Sequence, residues 1–469
     1  MKNNIAKKIL IALLAAVPFG ACNDFIDIKP QQSLATSVAL GDIAGLNTAL
    51  AGAYDGMQSL NYYGRDFVVF GEARGDNTYI AVSNSNRFLF DYNYQLSANT
   101  TQTVFWNAAW AANLDANNII NTIANVKDGT QAARDQILGE ALMIRAICHF
   151  DLVRVFAKPY YDGAGAQPGI PIKLDSKIVD IPRSTVAQVY DQVVSDITLA
   201  KSKMVQPAVT DPYHWSPLAA DALLARVLLY KGDNANAEAA ATRVITSGKY
   251  SLANLATLWG APGSVEEIFT LRTLAAETRG SDNLGQIFNP GSGYGDIRVT
   301  SDIRTAFGAG PDARIAASYY LYSNGAYYVN KYIGESAIPG LTSPKILRLA
   351  EMYLIRAEAR SKQNNFAGTD ADLAVIRTRA GAAALAATNA STALNSVLAE
   401  KRLEFAFEGH RSFDLFRNAK DLVRIQCNTG IEVNVAGFCS VSATSNLRVY
   451  PIPQRELDAN KAMTQNDGY

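Results

Sequence analysis

The sequence is poor in histidine and carries no excess of either charge. Its 469 residues include three histidines, and 43 basic residues balance 43 acidic ones. Nucleic-acid-binding proteins normally show a basic excess, so this balance argues against that class. Three histidines also leave little material for a histidine-built metal site. Hydrophobic residues make up 48% of the chain, which argues against disorder. A length of 469 residues is too great for one ordinary core, so we expect two lobes or one extended multi-helix body.

The common sequence signatures of catalysis and cofactor binding are also absent. The chain has no GxxxxGKS/T phosphate loop, no HExxH pair, no GxSxG elbow and no CxxC pair. Charged residues do recur at three- and four-residue spacings on predicted helices, where ion pairing is favoured over catalysis. These residues are Glu351, Arg356, Glu358, Glu400, Arg402, Glu404 and Glu408. We therefore expect a non-enzymatic protein without a cofactor or a metal.

The N-terminus has the pattern of a secretory signal. Lys2, Lys7 and Lys8 precede a short apolar stretch and small residues, and Cys22 follows them. The stretch is shorter than the roughly 20 residues needed to span a bilayer, and no later segment is apolar for that length. This arrangement resembles a bacterial lipoprotein signal in residues 1–21, with Cys22 as the lipidated residue. Two or more acyl chains would anchor the protein stably. A plain secretory signal with an incidental cysteine is the alternative.

Two further cysteines have the spacing of a short disulfide loop. Cys427 and Cys439 lie twelve positions apart, with turn-forming residues between them. A disulfide is expected for such a pair in an oxidising compartment. Half of a metal site is a weaker alternative, because no CxxC pair or histidine lies nearby.

Helical periodicity is strong in several parts of the chain. Leu223, Val227 and Tyr230 fall on one helical stripe, Gly232 ends that helix, and an alanine-rich helix follows over 235–247. A helix, a tight turn and an alanine-rich helix form the unit of tetratricopeptide-like repeats. Similar pairs recur within 140–200 and 349–377. The sequence therefore predicts a mainly α fold built on a helical repeat scaffold.

Two segments depart from this helical pattern. Residues 54–94 and 294–332 hold 13 of the 22 tyrosines, together with many turn-forming residues. We expect long irregular loops and short strands there. Aromatic rings offer flat apolar faces for sugars, and polar side chains can bind the hydroxyl groups. The candidate ligand-binding residues are Asp76, Asn77, Tyr79, Arg87, Tyr92 and Tyr294. The alternative is that these side chains pack the loops onto the body.

The tryptophans of one predicted helix fit a core role better than a ligand role. Trp106, Trp110 and Leu114 recur at intervals of four residues. Side chains at that spacing lie on one helix face, which usually faces the core.

Several ordered motifs resemble those of the SusD/RagB family of surface nutrient-binding lipoproteins. The matching stretches are CNDFID at 22–27, EALMIRA at 140–146, RLAEMYLIRAEA at 348–359, EKRLEFAFEGHRSFDL at 400–415 and PIP at 451–453. The resemblance runs from Cys22 to Tyr469. Its motifs are mostly structural, so the candidate ligand residues rest on the loop interpretation alone.

The resemblance implies about four tetratricopeptide-like helix pairs that carry an irregular ligand face formed by loops and short strands. It implies non-catalytic capture of oligosaccharide at the exterior face of the outer membrane, where the lipid on Cys22 anchors the protein. It also implies delivery to a TonB-dependent, SusC-like β-barrel partner. We expect a SusD-like N-terminal region over 22–262 and a C-terminal region over 263–469, packed as one globular body. The alternatives are the same fold binding peptide or another nutrient, and a surface glycoside hydrolase.

Overall fold

The computed structural model describes residues 36–260, 262–291, 293–433 and 438–469. The predicted signal in residues 1–21 and the predicted lipid-bearing Cys22 lie outside these ranges, so both remain predictions. Among the described residues, no helix combines the length and the apolar character that crossing a membrane requires.

The described chain is mainly helical, as the sequence predicted. Long helices alternate with loops that carry shorter ones. The helices are α1 (Thr36–Ala39), α2 (Ile43–Gln58), α3 (Asp66–Ala73), α4 (Leu89–Tyr92), α5 (Thr103–Thr122), α6 (Gln131–Phe156), α7 (Val186–Lys203), α8 (Pro217–Lys231), α9 (Asn234–Thr246), α10 (Leu284–Phe288), α11 (Ser301–Phe307), α12 (Arg314–Ser318), α13 (Leu349–Lys362), α14 (Phe366–Ala380), α15 (Ala393–Glu404), α16 (Arg411–Phe416) and α17 (Gln454–Ala459).

The long helices pack against their neighbours in chain order, α5 on α6, α6 on α7, α8 on α9 and α13 on α14. The pair α8–α9 shows how local sequence produces this arrangement. Ser216 caps the start of α8, Gly232 ends it with a φ of 86°, and Asp233 caps α9. The buried face of α9 consists of small side chains, which let α8 and α13 approach closely. They are Ala237, Ala240, Ala241 and Val244.

The strands are short and form two-stranded antiparallel pairs within the irregular parts of the chain. The pairs are β1 (Thr78–Ile80) with β3 (Ile297–Val299), β2 (Glu267–Thr270) with β8 (Lys345–Arg348), β4 (Tyr319–Leu321) with β5 (Tyr327–Val329), β6 (Gly334–Glu335) with β7 (Ile338–Pro339) and β9 (Leu422–Val423) with β10 (Ser440–Val441). The first two pairs join segments that are far apart in sequence.

The two aromatic segments contain more helix than the sequence analysis expected. Helices α3 and α4 lie within residues 54–94, and α11 and α12 lie within 294–332. Every residue of α3 is buried. A helix buried on all sides shows no one-sided apolar period, so periodicity could not reveal it.

Ion pairs link the helices in the interior, as the charge spacing predicted. The Arg348 guanidinium lies 2.6 Å from a Glu404 carboxylate oxygen and 2.8 Å from Glu408, and Arg417 lies 2.6 Å from Glu358. Removing one partner would leave an uncompensated buried charge, so these pairs depend on each other. Other predicted residues are also paired, Glu351 with Arg226, Arg356 with Asp372, Glu400 with Arg314 and Arg402 with Asp76.

Helix α3 lies directly against the turn that precedes α16. A Cβ atom on Gly71 would come within 2.7 Å of the Gly409 carbonyl oxygen, and Gly409 itself has a φ of 80°. Only glycine meets both demands without strain. The Gly409 backbone N–H donates to the Glu72 carboxylate at 2.7 Å. The first aromatic segment is therefore fixed against the C-terminal part of the chain.

Candidate ligand-binding site

Strand pairing brings the two tyrosine-rich segments together. β1 and β3 pair antiparallel, with Tyr79 opposite Arg298 and Ile80 opposite Ile297. The Asn77 carbonyl oxygen continues the contact by accepting the Thr300 backbone N–H at 3.0 Å. Residues around 80 and around 297 therefore lie side by side beneath one part of the surface, where the candidate ligand residues can be compared directly.

Asp76 and Asn77 lie in the interior beneath that surface. They are 3% and 0% exposed. The Arg411 guanidinium donates to both Asp76 carboxylate oxygens, at 2.7 and 2.9 Å, and Arg402 donates to Asn77 Oδ1 at 2.8 Å. Burial alone would raise the pKa of Asp76, but the hydrogen bonds and charge of Arg411, with the charge of Arg402, lower it overall. Both side chains hold the loop to the body, so the geometry does not place them in contact with a ligand.

Tyr79 and Tyr92 are buried as well. Burial raises the pKa of both phenols, that of Tyr92 to about 12. The Arg424 guanidinium carbon lies 4.1 Å from the centre of the Tyr92 ring. Its three guanidinium nitrogens donate to backbone carbonyls of the same segment. These tyrosines pack the segment onto the body, which is the alternative that the sequence left open.

Arg87 and Tyr294 are the two candidates that reach the surface, and the structure brings them together. Arg87 Nη2 donates to the Tyr294 hydroxyl at 3.1 Å, and the guanidinium carbon lies 3.9 Å from the ring centre. Tyr294 is 39% exposed. Hydrogen bonds from Ser281 and Arg87 lower the pKa of Tyr294. Asp282 lies 3.3 Å from Arg87 and 2.8 Å from Arg65, so the arginine is held in place.

A tyrosine hairpin extends this surface, and the sequence analysis missed it. β4 and β5 place Tyr320 opposite Tyr328, and Tyr322 lies 36% exposed at the turn with its ring 5.6 Å from that of Tyr328. Arg298 of β3 connects the hairpin to the β1–β3 strand pair, since its guanidinium lies 5.4 Å from the Tyr328 ring. The sequence does contain a signal for this hairpin, because Asn-Gly at 324–325 between aromatic runs is typical of a β-hairpin turn.

A disulfide loop borders the same surface. Cys427 and Cys439 form a disulfide with a Cα–Cα distance of 5.6 Å. The loop touches the end of β1, because the Val82 backbone N–H donates to the Ile431 carbonyl oxygen at 3.2 Å. Residues 434–437 of the loop are outside the described part of the chain. The disulfide fixes the ends of a loop that forms one edge of the site.

The exposed and half-buried arginine and tyrosine side chains define the aromatic surface, which comprises Arg87, Tyr294, Arg298, Tyr320 and Tyr322. Phenol rings present apolar faces, and phenol hydroxyls and guanidinium groups supply hydrogen bonds at their edges. Such an arrangement can bind a ligand with alternating apolar and hydroxyl-bearing faces. Among the described residues, no group of histidine, cysteine, aspartate and glutamate side chains has the geometry of a metal site.

Comparison with known protein families agrees with the described fold over most of the chain. Residues 285–469 match the family described as the SusD family, and residues 24–229 match the family described as starch-binding associating with outer membrane.

Individual relatives extend over the same length. A SusD-like protein, P38, from Formosa agariphila is 24% identical, and the match covers 99% of both chains. A SusD superfamily protein from Bacteroides vulgatus is 28% identical, with a TM-score of 0.82 over 91% of this chain and 99% of the other. A laminarin-binding SusD-like protein, 21% identical, shares the fold with a TM-score of 0.74 over 91% of this chain and 100% of the other. With its helix pairs and its ordered motifs, the chain belongs to the SusD/RagB family.

Proposed function

We propose that this protein is a non-catalytic glycan-binding lipoprotein of the outer membrane. It captures oligosaccharide at the cell exterior on the aromatic surface and delivers it to a TonB-dependent, SusC-like β-barrel. The lipid on Cys22 holds it to the membrane.

The observation that carries the proposal is the exposed pair Arg87–Tyr294. The guanidinium stacks on one face of the ring and bonds its hydroxyl, so the ring keeps one orientation with no ligand present. A prearranged ring lowers the entropy lost when a flexible sugar binds. The tyrosines of the β4–β5 hairpin offer further rings for the next sugar units. The starch-binding description of the matched family supports a glycan as the ligand.

The acidic side chains beside the aromatic surface support a binding role over hydrolysis. Glycosidases need two carboxylates that face the scissile bond. Asp296 accepts the Ser85 backbone N–H at 3.1 Å, and Asp302 accepts the backbone N–H groups of Ile425 and Gln426 at 2.7 and 2.9 Å. Both carboxylates are buried and serve to hold loops together. The third carboxylate beside this surface, that of Asp282, is partly exposed, but it is paired with Arg65 and Arg87.

Ring substitution tests the glycan proposal. Laminarin and starch are the probes, in affinity electrophoresis and in calorimetry with their hexasaccharides. Stacking on one ring contributes about 1–3 kcal/mol in nucleic-acid sites, so Tyr294→Ala should weaken binding about 5- to 150-fold. Tyr161→Ala is the matched control, because Tyr161 is 44% exposed and contacts Arg448 away from this surface. Equal losses in both variants, or binding of peptides and no glycan, would contradict the proposal.

Two cellular experiments test the anchor and the partner. Cys22→Ala should leave a folded protein that no longer sediments with the outer membrane. A tagged wild-type protein should co-purify with a large β-barrel from its native membrane. Retention of the variant in the membrane would refute the lipid anchor, and purification of the protein alone would refute the partnership. Incubation with a bound oligosaccharide should release no shorter product.

We also propose that the regions 22–262 and 263–469 work as one ligand-binding body. The β1–β3 pairing and the contact of Asp76 with Arg411 support this, because each joins one region to the other.

A further inference from the structure

A second aromatic cleft lies along helix α5, and it shares no residue with the aromatic surface. The cleft has a volume of about 440 Å³, within the range of about 300–1,000 Å³ that is typical of small-molecule sites. Asn107, Trp110 and Leu114 line it at intervals of three and four residues, so they form one stripe along the helix. The sequence analysis assigned this stripe to the core. Trp106 is indeed 2% exposed, but Leu114 is 41% exposed and Trp110 lies between them in exposure.

Trp110 is held firmly on its inner side. Its ring meets that of Trp106 edge-on at 5.7 Å and that of His149 at 5.6 Å. The Lys173 ammonium lies 5.5 Å from the ring centre. No carboxylate among the described residues pairs with that ammonium, so it remains available as a hydrogen-bond donor beside the ring. A fixed ring beside a cation also occurs in the aromatic surface, where Arg87 stacks on Tyr294.

A six-residue strap, residues 175–180, forms the outer wall of the cleft. Both of its ends are pinned. Asn121 donates to the Leu174 carbonyl oxygen at 2.9 Å, and Asn460 donates to the Ile181 carbonyl oxygen at 2.8 Å. Between these points, no described hydrogen bond joins the strap to the body. Its Ile178 side chain is fully exposed at the edge of the cleft. The strap is therefore hydrogen-bonded to the body only beside its two ends, and its middle borders the cleft.

We propose that this cleft is a second saccharide subsite, in which Trp110 stacks on a sugar ring and Lys173 binds its hydroxyl groups. The rim carries both signs of charge, because Lys173, Lys177, Asp175, Asp180 and Glu456 all line the cleft. That balance favours a neutral sugar over an anion or a cation. Apolar Leu114 and Ile178 flank the ring and suit the apolar faces of the same sugar. The inference rests on the proposed glycan-binding function and adds a second, separate contact point for glycan.

The four tryptophans of the chain make the proposal directly observable. The full chain is labelled with 5-fluorotryptophan, and Trp110→Phe identifies the Trp110 signal in fluorine NMR. Titration with maltohexaose and with laminarihexaose should shift that signal, while the signal of the buried Trp215 stays unmoved. The shift should persist in Tyr294→Ala, because the aromatic surface is a separate site.

Affinity provides the second readout. In the Tyr294→Ala background, Trp110→Ala should weaken the remaining binding roughly 5- to 150-fold, the loss expected for one stacking ring. Leu114→Arg, which fills the exposed part of the cleft, should do the same if loss of Trp110 prevents folding. Leu199→Arg is its matched control, since Leu199 is 46% exposed on α7 and does not line the cleft.

The outcomes separate the two proposals. Glycan binding that is weakened by Tyr294→Ala and leaves the Trp110 signal unmoved would overturn the second subsite and leave the proposed function intact. Absence of any glycan binding to the wild-type protein would overturn both. A Trp110 shift that vanishes in Tyr294→Ala would show that the cleft does not bind independently, and would also overturn the inference.

Discussion

Neutralising Glu72 should change how the stability of the protein depends on pH. Glu72 is fully buried on α3, where burial raises the pKa of its carboxyl from 4.5 to about 7 against the opposing hydrogen bond from Gly409 and the charge of Lys331. The folded state therefore binds more protons than the unfolded state between these values. The contribution of Glu72 to stability is greatest below its pKa in the unfolded chain, and it declines as pH rises through its pKa in the folded protein.

The size of the pH effect on stability follows from how far the pKa of Glu72 is raised. A difference of about 2.5 pKa units corresponds to about 3 kcal/mol at alkaline pH, because one unit is worth about 1.4 kcal/mol. At pH 5 the ionisation of Glu72 lowers the stability by less than about 1 kcal/mol. Glu72→Gln removes the titration and keeps an oxygen that can accept the Gly409 N–H. We therefore expect its stability advantage over the wild-type protein to be about 2–3 kcal/mol larger at pH 8 than at pH 5.

Urea unfolding at both pH values, followed by circular dichroism, measures this difference. The comparison of two proteins at each pH cancels all other titrating groups. Glu277→Gln is the control, because Glu277 is exposed. Its stability should differ from that of the wild-type protein by the same amount at pH 5 and pH 8. An equal stability difference between Glu72→Gln and the wild-type protein at pH 5 and pH 8 would refute the raised pKa of Glu72.

Other parts of the structure give sharp expectations for stability. Gly71→Ala should destabilise the protein by about 1–3 kcal/mol in urea unfolding, because its Cβ would lie 2.7 Å from a carbonyl oxygen. Gly52→Ala, with open space around it in α2, should not destabilise the protein; similar losses in both would contradict the steric account. Arg226→Met should cost roughly 3–5 kcal/mol by leaving the buried Glu351 unpaired, and adding Glu351→Leu should recover part of that loss. No recovery in the double variant would argue against the charge-based explanation. Cys439→Ser should cost roughly 2–4 kcal/mol, and reductant should lower the melting temperature of the wild-type protein only.

The helical scaffold could be predicted because its signals are local. The stripe of Leu223 and Val227, the end of the helix at Gly232 and the alanine-rich partner helix all lie within 30 residues, and the structure confirms each of them. Residue types and spacings of this kind follow directly from helix geometry. The fully buried α3 escaped prediction because none of its sides faces solvent, so its sequence shows no one-sided apolar period.

The candidate ligand site was only partly predictable, because residue type does not tell which way a loop side chain points. Arg87 and Asp76 both lie in the first aromatic segment, yet one reaches the surface and the other is buried. The difference depends on Arg411, which lies 335 positions away in sequence. No local pattern could reveal that partner. For Trp110 the helical spacing was read correctly, but spacing alone could not show that the outer half of the stripe faces an open cleft.

The pairing of β1 with β3 has a consequence for how binding competence arises. Thr78 and Val299 are partners across more than 200 intervening residues, and Glu72 meets Gly409 at a sequence separation of 337. Contacts this distant form late, since much of the chain must be ordered before they can close. A chain that lacks its C-terminal part would lack the partners of β1 and α3, so the aromatic surface would be incomplete. The proposed binding surface would therefore be complete only once the last third of the chain is present, which ties its formation to the completion of biosynthesis.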